Sequence, residues 1–259
     1  MKKKISAAII TLNEEKNLPR CLKSIGWVDE IVVVDSGSTD RTVEIAKSAG
    51  ASVHHNPWPG YARQWQKAIQ LCSHPWVLLM AADQVVDRAL SGEIMESLAS
   101  PGEVRGFILN YKHFFLGKWI EHCGWYPAPA LQIFRKDSVR VIHREVHESF
   151  TVSPYIVKPL RKGFMEHYTY HSIHQYLEKF NRYTDLDARE MAKNKPGLSA
   201  NDMVISGLRK FNDMFFRQEG YRDGLHGLVL CVLSALYEFV AAAKYLEIRG
   251  DFDNQGDPS

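Results

Sequence analysis

An apolar run that ends in an acidic, glycine-containing turn constrains this chain more than any other feature. The run is Ile31-Val-Val-Val34 and the turn is Asp35-Ser-Gly-Ser-Thr-Asp40. β-branched residues favour strands, and a strand that is apolar along its whole length is typical of a parallel sheet covered on both faces. A helix is predicted directly after the turn, over residues 42–49, and Gly50 closes it. The pattern therefore predicts a strand–turn–helix unit of an α/β fold.

The first eighty or so residues repeat this alternation of short strands and helices. Strands are predicted at 5–12, 30–34, 52–55 and 76–80, and helices at 18–25, 42–49 and 62–72. Such alternation with short loops predicts a mostly parallel, doubly wound sheet. Asn13, Asp35 and Asp83 each lie just after a predicted strand. Because ligands of these sheets bind beyond the carboxyl ends of the strands, we expect a binding site at this edge.

The rest of the chain is predicted to contain a less regular middle part and a helical C-terminal part. Residues 107–115 and 130–134 have the pattern of strands, and residues 171–195 have that of a charged helix. We therefore predict a domain of residues 1–170, a helical extension of residues 171–250 and a disordered tail of residues 251–259.

Composition argues against several classes of protein. The 32 Lys and Arg residues nearly balance the 30 Asp and Glu residues, without a basic block beyond residues 2–4, so nucleic acid is not an expected partner. The four cysteines form no Cys-x-x-Cys pair, which leaves a zinc site of that type unsupported. The apolar run at residues 7–10 is interrupted by Thr11 and Asn13, unlike a signal peptide. We expect a cytoplasmic protein.

The residues alone leave the role of the acidic turn open. Its hydroxyls and carboxylates suit a base or a ribose, but the same turn could simply join a strand to a helix, with Thr39 or Asp40 as the N-cap. A Gly-x-Gly-x-x-Gly fingerprint is absent, which argues against a nicotinamide dinucleotide. Trp58, Tyr61 and Trp65 are equally open to stacking on a ligand and to packing in the core.

Several motifs spread along the chain resemble one family of sugar transferases. They are Ala7-Ala-Ile-Ile-Thr-Leu-Asn-Glu-Glu15, Asp29–Asp40, Pro57-Trp-Pro-Gly60, Tyr126-Pro127, Ile133-Phe-Arg135, Val146-His-Glu148, Asn181-Arg-Tyr-Thr184 and Gly224-Leu-His-Gly227. Together they resemble the inverting glycosyltransferases of family 2, which have the GT-A fold, and more narrowly the bacterial lipopolysaccharide-core β-glucosyltransferase subgroup. The resemblance covers nearly the whole chain. It implies a GT-A-like α/β fold with a helical C-terminal extension.

The resemblance also implies a UDP-sugar donor and a metal-dependent Asp-x-Asp motif. The implied nucleotide-binding residues are Thr11, Asn13, Glu14, Asp35, Ser36, Gln64 and Ala82. Where the family usually has Asp-Ala-Asp-Glu, this chain has Ala81-Ala-Asp-Gln84, so Asp83 is the one remaining metal ligand. Mg²⁺ commonly uses one or two carboxylates plus phosphates, and we therefore expect Asp83 to hold Mg²⁺ or Mn²⁺. The alternative for Asp83 is a helix cap.

Glu148 is the predicted general base. Inverting transfer needs one carboxylate that takes the proton of the acceptor hydroxyl while its oxygen attacks the anomeric carbon. His147, Arg135 and Arg144 are predicted to contact the acceptor or the diphosphate of the donor. The alternative for this segment is a surface loop with ordinary charges.

Four departures from the family pattern leave a second function open. Besides Ala81 and Gln84, the chain has Ala128 and Gln132 where the subgroup often has Asp and Arg. These departures could mark a catalytically decayed protein that still binds nucleotide-sugars as a scaffold in glycan assembly. A nucleotidyltransferase is the weaker alternative, because a Gly-rich, basic triphosphate loop is absent near the first strand.

The C-terminal third suggests contact with a membrane. Residues 208–217 mix bases with large apolar side chains, and residues 227–237 are an apolar stretch that ends before Glu238. This stretch is shorter than the roughly 20 residues of a spanning helix, so we expect peripheral binding to an anionic membrane surface. A buried helical hairpin or a homodimer contact is the alternative. The expected function is sugar transfer to a lipopolysaccharide-core or related glycolipid acceptor at the inner face of the cytoplasmic membrane.

Overall fold

The computed structural model describes residues 3–142, 149–194 and 197–252. Two compact units are present. The first consists of residues 1–112 and 127–168, and the second of residues 113–126 and 169–259.

The first unit is an α/β sheet with helices between its first four strands. The strands are β1 (Ile5–Thr11), β2 (Glu30–Asp35), β3 (Ser52–His55), β4 (Trp76–Ala81), β5 (Gln84–Val86), β6 (Gly106–Phe115), β7 (Lys118–Trp119), β8 (Pro129–Arg135), β9 (Val139–Ile142), β10 (Ser149–Val152), β11 (Val157–Pro159) and β12 (Met165–Tyr170). The helices are α1 (Leu18–Ser24), α2 (Thr42–Ser48), α3 (Tyr61–Leu71) and α4 (Arg88–Ala99). β6, β7 and β12 lie partly or wholly in the second unit. The predicted α/β class is confirmed.

The main sheet has the strand order β3-β2-β1-β4-β8-β6-β12-β5. β1 lies between β2 and β4 and is parallel to both. Alternate residues of β4 enter two different cores: Trp76, Leu78 and Met80 pack on one face, and Val77 and Leu79 pack on the other. A strand covered on both faces has no side for polar residues, which explains the continuous apolar runs in the sequence.

Beyond β4 the sheet is mixed rather than mostly parallel. β8 is antiparallel to β4 and to β6, and β12 is antiparallel to β5, whereas the short β11 is parallel to β6. In the described residues no helix lies between β6 and β12, in contrast to the helices that follow β1, β2 and β3. The predicted parallel arrangement therefore holds for the first four strands.

The second unit is mainly helical. Its long elements are α5 (Ile173–Asn194), α6 (Ala200–Asn212) and α7 (Gly224–Arg249), with a π-helical turn at Asp213–Arg217 and a 3₁₀ turn at Gly220–Asp223. The ammonium of Lys244 on α7 donates to the carbonyl of Asn181 at 3.0 Å and to the Thr184 hydroxyl at 2.9 Å. The Asn-Arg-Tyr-Thr motif at residues 181–184 thus joins α5 to α7.

α7 is longer than the apolar stretch that predicts it. The apolar stretch ends before Glu238, but the helix continues to Arg249, and the Glu238 carboxylate lies 3.9 Å from the ammonium of Lys210 on α6. By length and composition alone, the helical segment Gly220–Arg249 could cross a membrane. The expectation that the apolar part of this segment is too short to span therefore does not hold by length and composition.

Candidate active site

The carboxyl ends of three neighbouring strands meet at one edge of the sheet. In the parallel register Thr11 at the end of β1 lies opposite Asp35 of β2, and Ile10 lies opposite Ala81 of β4. Asp83 follows two residues after Ala81. The predicted convergence of the polar segments after β1, β2 and β4 is therefore observed.

Asp35 organises the acidic turn from inside. One carboxylate oxygen accepts hydrogen bonds from the Thr11 hydroxyl at 3.0 Å and from the Ser38 hydroxyl at 2.5 Å. The other accepts from the backbone amides of Gly37 and Ser38, both at 2.9 Å. A carboxylate has about four acceptor positions, so those of Asp35 are filled by its own loop. In this structure Asp35 fixes the shape of the loop that follows β2.

Burial and hydrogen bonding act in opposite directions on Asp35. Burial raises the pKa of the carboxyl group, but the hydrogen bonds from Ser38, Gly37 and Thr11 outweigh it and hold the pKa below its ordinary value. Asp35 is therefore an ionised acceptor at neutral pH, which is what the amide and hydroxyl donors of the turn require.

The segment after β1 is tied to the same turn. The backbone amide of Asn13 donates to the Ser38 hydroxyl at 2.8 Å, and the Asn13 side-chain oxygen accepts from the Thr39 amide at 2.8 Å. The Glu14 amide donates to the Thr42 hydroxyl at 2.7 Å. Asn13 has a φ of 55°, a left-handed conformation that Asn tolerates better than most residues. Asn13 and Glu14 thus lie beside the Asp35 turn, as predicted.

Asp40 contributes to the start of α2 without being its formal N-cap. The N-cap position is Arg41, whose side chain makes no capping bond. The Asp40 carboxylate instead accepts from the Thr42 amide at 2.9 Å and from the Glu15 amide at 3.1 Å. Asp40 therefore accepts a hydrogen bond at the start of α2, as the capping alternative predicts. The same carboxylate also binds the segment after β1 through the Glu15 amide.

Gln64 is buried and supports the residue next to Asp35. Its amide donates to the Ser36 hydroxyl at 3.0 Å, and its oxygen accepts from the Asn56 amide at 2.6 Å. Among the aromatic candidates, Trp65 is part of the core, whereas Trp58 is 45% exposed. Gln64 therefore contacts Ser36 from inside the protein, and Trp58 is the most exposed of the three rings.

Asp83 lies in the turn between β4 and β5, with a partner that the sequence analysis missed. It is 8% exposed, and its carboxylate is 3.3 Å from Nε2 of His167 on β12. The Tyr168 amide donates to the Asp83 carbonyl at 3.0 Å, which fixes β12 against this turn. Asp83 is not a helix cap, because Asp87 caps α4 by accepting from the Leu90 amide at 2.7 Å.

Asp83 and His167 could together supply two ligands to a divalent cation that also binds a diphosphate. A carboxylate oxygen and an imidazole nitrogen at one point suit Mn²⁺, and the diphosphate would supply the remaining oxygens. Within the described residues, a cluster of three or more His, Cys, Asp or Glu side chains that could hold a metal by itself is absent. The pair therefore fits a metal that arrives with the donor better than a permanently bound one.

The other predicted site residues have different positions. Ala82 is buried in the core, so its side chain has no access to a ligand. Arg135 lies opposite Trp76, at the amino end of β4, and its guanidinium donates to Asp137 at 3.1 Å. The structure therefore does not bring Arg135 to Asp83, because β8 runs antiparallel to β4. Arg144, His147 and Glu148 lie outside the described residues.

Comparison with known proteins gives the family. The model of glycosyl transferase family 2 matches residues 6–151. The chain belongs to glycosyltransferase family 2. The enzyme is 31% identical over 246 residues to the lipopolysaccharide core biosynthesis glycosyltransferase LpsC of Rhizobium meliloti, covering 93% of this chain and 91% of that protein. It is also 31% identical to an uncharacterized glycosyltransferase of Rickettsia typhi, over 95% of this chain and 88% of the relative.

Solved structures with a similar chain path are more distant in sequence. Glucosyl-3-phosphoglycerate synthase from Mycobacterium tuberculosis, in complex with Mn²⁺, UDP and phosphoglyceric acid, matches with a TM-score of 0.49 and 17% identity, over 73% of this enzyme and 78% of that chain. S. aureus TarS 1-349 matches with a TM-score of 0.47 and 15% identity, over 99% of this enzyme and 93% of that chain.

Replacing Asp35 should destabilise the enzyme through the acidic turn. Asp35→Asn replaces a carboxylate that accepts four hydrogen bonds with an amide that has one acceptor oxygen. We expect the free energy of unfolding to fall by about 1–3 kcal/mol at pH 7, because buried donors lose their acceptors. Urea unfolding measures the change. Glu44→Gln, at an exposed carboxylate, is the matched control and should change stability by less than about 0.5 kcal/mol.

The effect of Asp35→Asn should depend on pH. Because folding lowers the pKa of Asp35, its contribution is fully present above the unfolded-state value of about 3.9 and is lost as the pH falls through the lower folded-state value. The stability difference between the two proteins should therefore shrink below about pH 4. Equal stability of wild type and variant at pH 7 would show that the turn does not depend on the carboxylate.

Proposed function

We propose that the enzyme transfers a sugar from a UDP-sugar to a sugar of the lipopolysaccharide core or of a related glycolipid, with inversion at the anomeric carbon. The observation that carries the proposal is the alignment of the Asp35 turn and Asp83 at the ends of parallel strands flanking β1. Ligands of such sheets bind at this edge. The similarity to LpsC over nearly the full length of both chains supports the lipopolysaccharide-core acceptor.

The Asp35 turn is proposed to receive the nucleotide. Asn13, Glu14 and Ser36 border it, and Gln64 holds Ser36 in place. Thr11 and Asp35 are buried beneath the loop and fix its shape through their hydrogen bond. The donor diphosphate would then lie towards Asp83 and His167, where a divalent ion would neutralise the charge that develops on the departing group.

Glu148 remains the proposed general base. In a single displacement it takes the proton of the acceptor hydroxyl, that oxygen bonds to the anomeric carbon, and the bond from this carbon to the diphosphate oxygen breaks. Attack from the face opposite the leaving group inverts the configuration. His147 and Arg144 are proposed to bind the acceptor beside it.

Glu148→Gln should strongly slow sugar transfer and leave donor binding intact. We expect kcat to fall by about 10²–10⁴-fold, because Gln cannot take the proton, while the UDP affinity stays within about twofold. Transfer of radiolabelled sugar to a glycolipid extract and calorimetry with UDP measure the two quantities. The exposed Glu44→Gln variant serves as the control for the substitution itself. Undiminished turnover of Glu148→Gln would remove the base assignment.

Removal of the imidazole of His167 should lower the affinity of the enzyme for the divalent metal. We expect His167→Asn to raise the Mn²⁺ concentration for half-maximal UDP binding by about tenfold or more, and Asp83→Asn to raise it at least as much. His174→Asn, at a side chain that is 85% exposed, is the matched control and should leave the requirement unchanged. An unchanged Mn²⁺ requirement in both site variants would exclude this pair as the metal site.

We also propose that the helical unit binds the membrane surface peripherally. Leu225, Leu228, Val232 and Leu236 recur at intervals of three and four residues along one face of α7, and all four are exposed. Leu208, with Val204 and Ile205, adds exposed apolar surface on α6. A stripe of exposed apolar side chains is unusual on a water-soluble protein and supports an interaction site on this helix.

Polar contacts on another face of α7 support lying on the membrane over crossing it. Lys244 bonds to Asp185 at 2.5 Å, and the Tyr237 hydroxyl donates to Asp187, both against α5. A helix whose inner face holds these polar contacts cannot be surrounded by lipid without losing them. The exposed Phe216, Arg217 and Arg222 lie just before α7, where rings and guanidinium groups suit the headgroup region of an anionic bilayer.

Flotation with vesicles of phosphatidylethanolamine and phosphatidylglycerol tests this surface. We expect the wild type to float with the vesicles, and Leu225→Ser combined with Val232→Ser to bind at least about tenfold more weakly, because two exposed side chains lose their burial in lipid. Tyr155→Ser combined with Ile156→Ser, in the first unit, is the control. Unchanged flotation of the double variant would contradict membrane binding by this surface. A wild-type dimer that dissociates in the double variant would instead assign the surface to a homodimer contact.

A further inference from the structure

Two of the four cysteines lie next to each other inside the helical unit. The Sγ atoms of Cys123, in the segment before β8, and of Cys231, on α7, are 3.6 Å apart, although 108 positions separate the two residues in the chain. Both are free thiols, and they are 2% and 0% exposed. The tertiary fold, and not a local turn, therefore brings the two sulfurs together.

The backbone around the pair is adapted to this contact. A Cβ atom at Gly220 would lie 2.8 Å from each of the two Sγ atoms, so a side chain at this position would push them away. Cys123 has a φ of 58°, a left-handed conformation that is costly for a residue other than Gly, Asn or Asp. The Cys123 amide donates to the Gln218 carbonyl at 3.0 Å, which holds this conformation. The fold thus keeps the sulfurs in contact at the cost of local strain.

A buried carboxylate lies beside the Cys123 thiol. Oδ2 of Asp223 is 3.9 Å from the Cys123 sulfur and accepts a hydrogen bond from the His122 amide at 2.9 Å. The ammonium of Lys118 lies 3.9 Å from the other carboxylate oxygen, and Asp223 is 3% exposed. The Cys123 thiol therefore has two acceptors within reach, the fixed carboxylate and the sulfur of Cys231.

The contact between the thiols also makes them chemically unequal. The hydrogen bond with Cys123 lowers the pKa of the Cys231 thiol, and the same bond, together with burial, raises the pKa of the Cys123 thiol. A thiolate, and not a thiol, is the nucleophile in sulfur chemistry. Cys231 is therefore the sulfur that reacts first, and Cys123 is the neighbouring thiol that can react with the product.

We propose that Cys123 and Cys231 are a redox modification site, at which hydrogen peroxide closes a disulfide between α7 and the segment before β8. The Cys231 thiolate bonds to one peroxide oxygen and the O–O bond breaks, which gives a sulfenic acid; the departing hydroxide takes up the proton that Cys231 released and leaves as water. The Cys123 sulfur then bonds to the Cys231 sulfur, the S–O bond breaks, and hydroxide leaves as water with the Cys123 proton. Two thiols are oxidised, one peroxide is reduced and two waters form.

Distance and burial set the conditions for this reaction. A disulfide needs its sulfurs about 2.05 Å apart, so the pair has to close by about 1.5 Å, which is within reach of rotation about the two Cα–Cβ bonds. Burial shields both thiols from bulky reagents and leaves a small peroxide as the suitable oxidant. Because α7 carries the exposed apolar stripe, the disulfide would fix the stripe-bearing helix to residues 113–126 of the same unit. The proposed sugar transfer does not use these residues, so the two proposals stand independently.

Peptide mapping of the folded full chain after treatment with hydrogen peroxide tests the site. We expect a linked pair of peptides that contain Cys123 and Cys231, a mass lower by two hydrogen atoms, and recovery of both thiols with dithiothreitol. Cys21 and Cys72 are internal controls, because they are equally buried but their sulfurs face the backbone carbonyls of Ala81 at 3.7 Å and Ala68 at 3.3 Å. They should remain free thiols in the same sample.

Thermal unfolding measures what the disulfide does to the fold. We expect oxidation to raise the melting temperature by about 5 °C or more, because a cross-link that closes so long a loop restricts the unfolded chain. Cys231→Ala should abolish this rise, and Cys72→Ala should retain it. If Cys231→Ala does not fold, the wild-type peptide map still decides. Free Cys123 and Cys231 after oxidation, linkage that includes Cys21 or Cys72, or a linked pair without a rise in melting temperature would overturn the proposal.

Discussion

The parallel pairing of β1 with β2 on one side and β4 on the other is the constraint on which the site depends. It aligns Thr11 with Asp35 and Ile10 with Ala81, so that three separate turns leave the sheet at one edge. A shift of one residue in either pairing would turn the apolar residues of a strand towards the opposite face. Because both faces of β1 and β4 are buried, the packing of the core and the alignment of the site are fixed by the same register.

Sequence reasoning succeeded where a local pattern determines the outcome. The first four strands and the helices between them lie within one or two residues of their predicted bounds, because apolar runs and glycine-containing turns are local signals. His167 could not be found in this way, since it reaches Asp83 through an antiparallel pairing of β12 with β5. Arg135 was misplaced for a related reason: its distance from the site follows from the direction of β8, which its own sequence does not encode.

The altered family positions show how a comparison of motifs and a structure answer different questions. In sequence, Ala81, Gln84, Ala128 and Gln132 are four separate departures from the pattern that the chain resembles. In the fold, all four contact Tyr111 or one another through the backbone or side chains. The number of departures is therefore a poor measure of how far activity is lost, because the effects of substitutions at contacting positions are not additive.

The internally satisfied carboxylate of Asp35 has a consequence for the nucleotide binding proposed at its turn. Since its four hydrogen bonds are formed within the protein, the turn has its shape before a nucleotide arrives. Fixing the backbone of a flexible loop costs about 1–2 kcal/mol per residue, and here folding has already met that cost. For the nucleotide binding proposed at this turn, binding energy would not be consumed by ordering the loop, and discrimination between donors would rest on fit to a rigid surface.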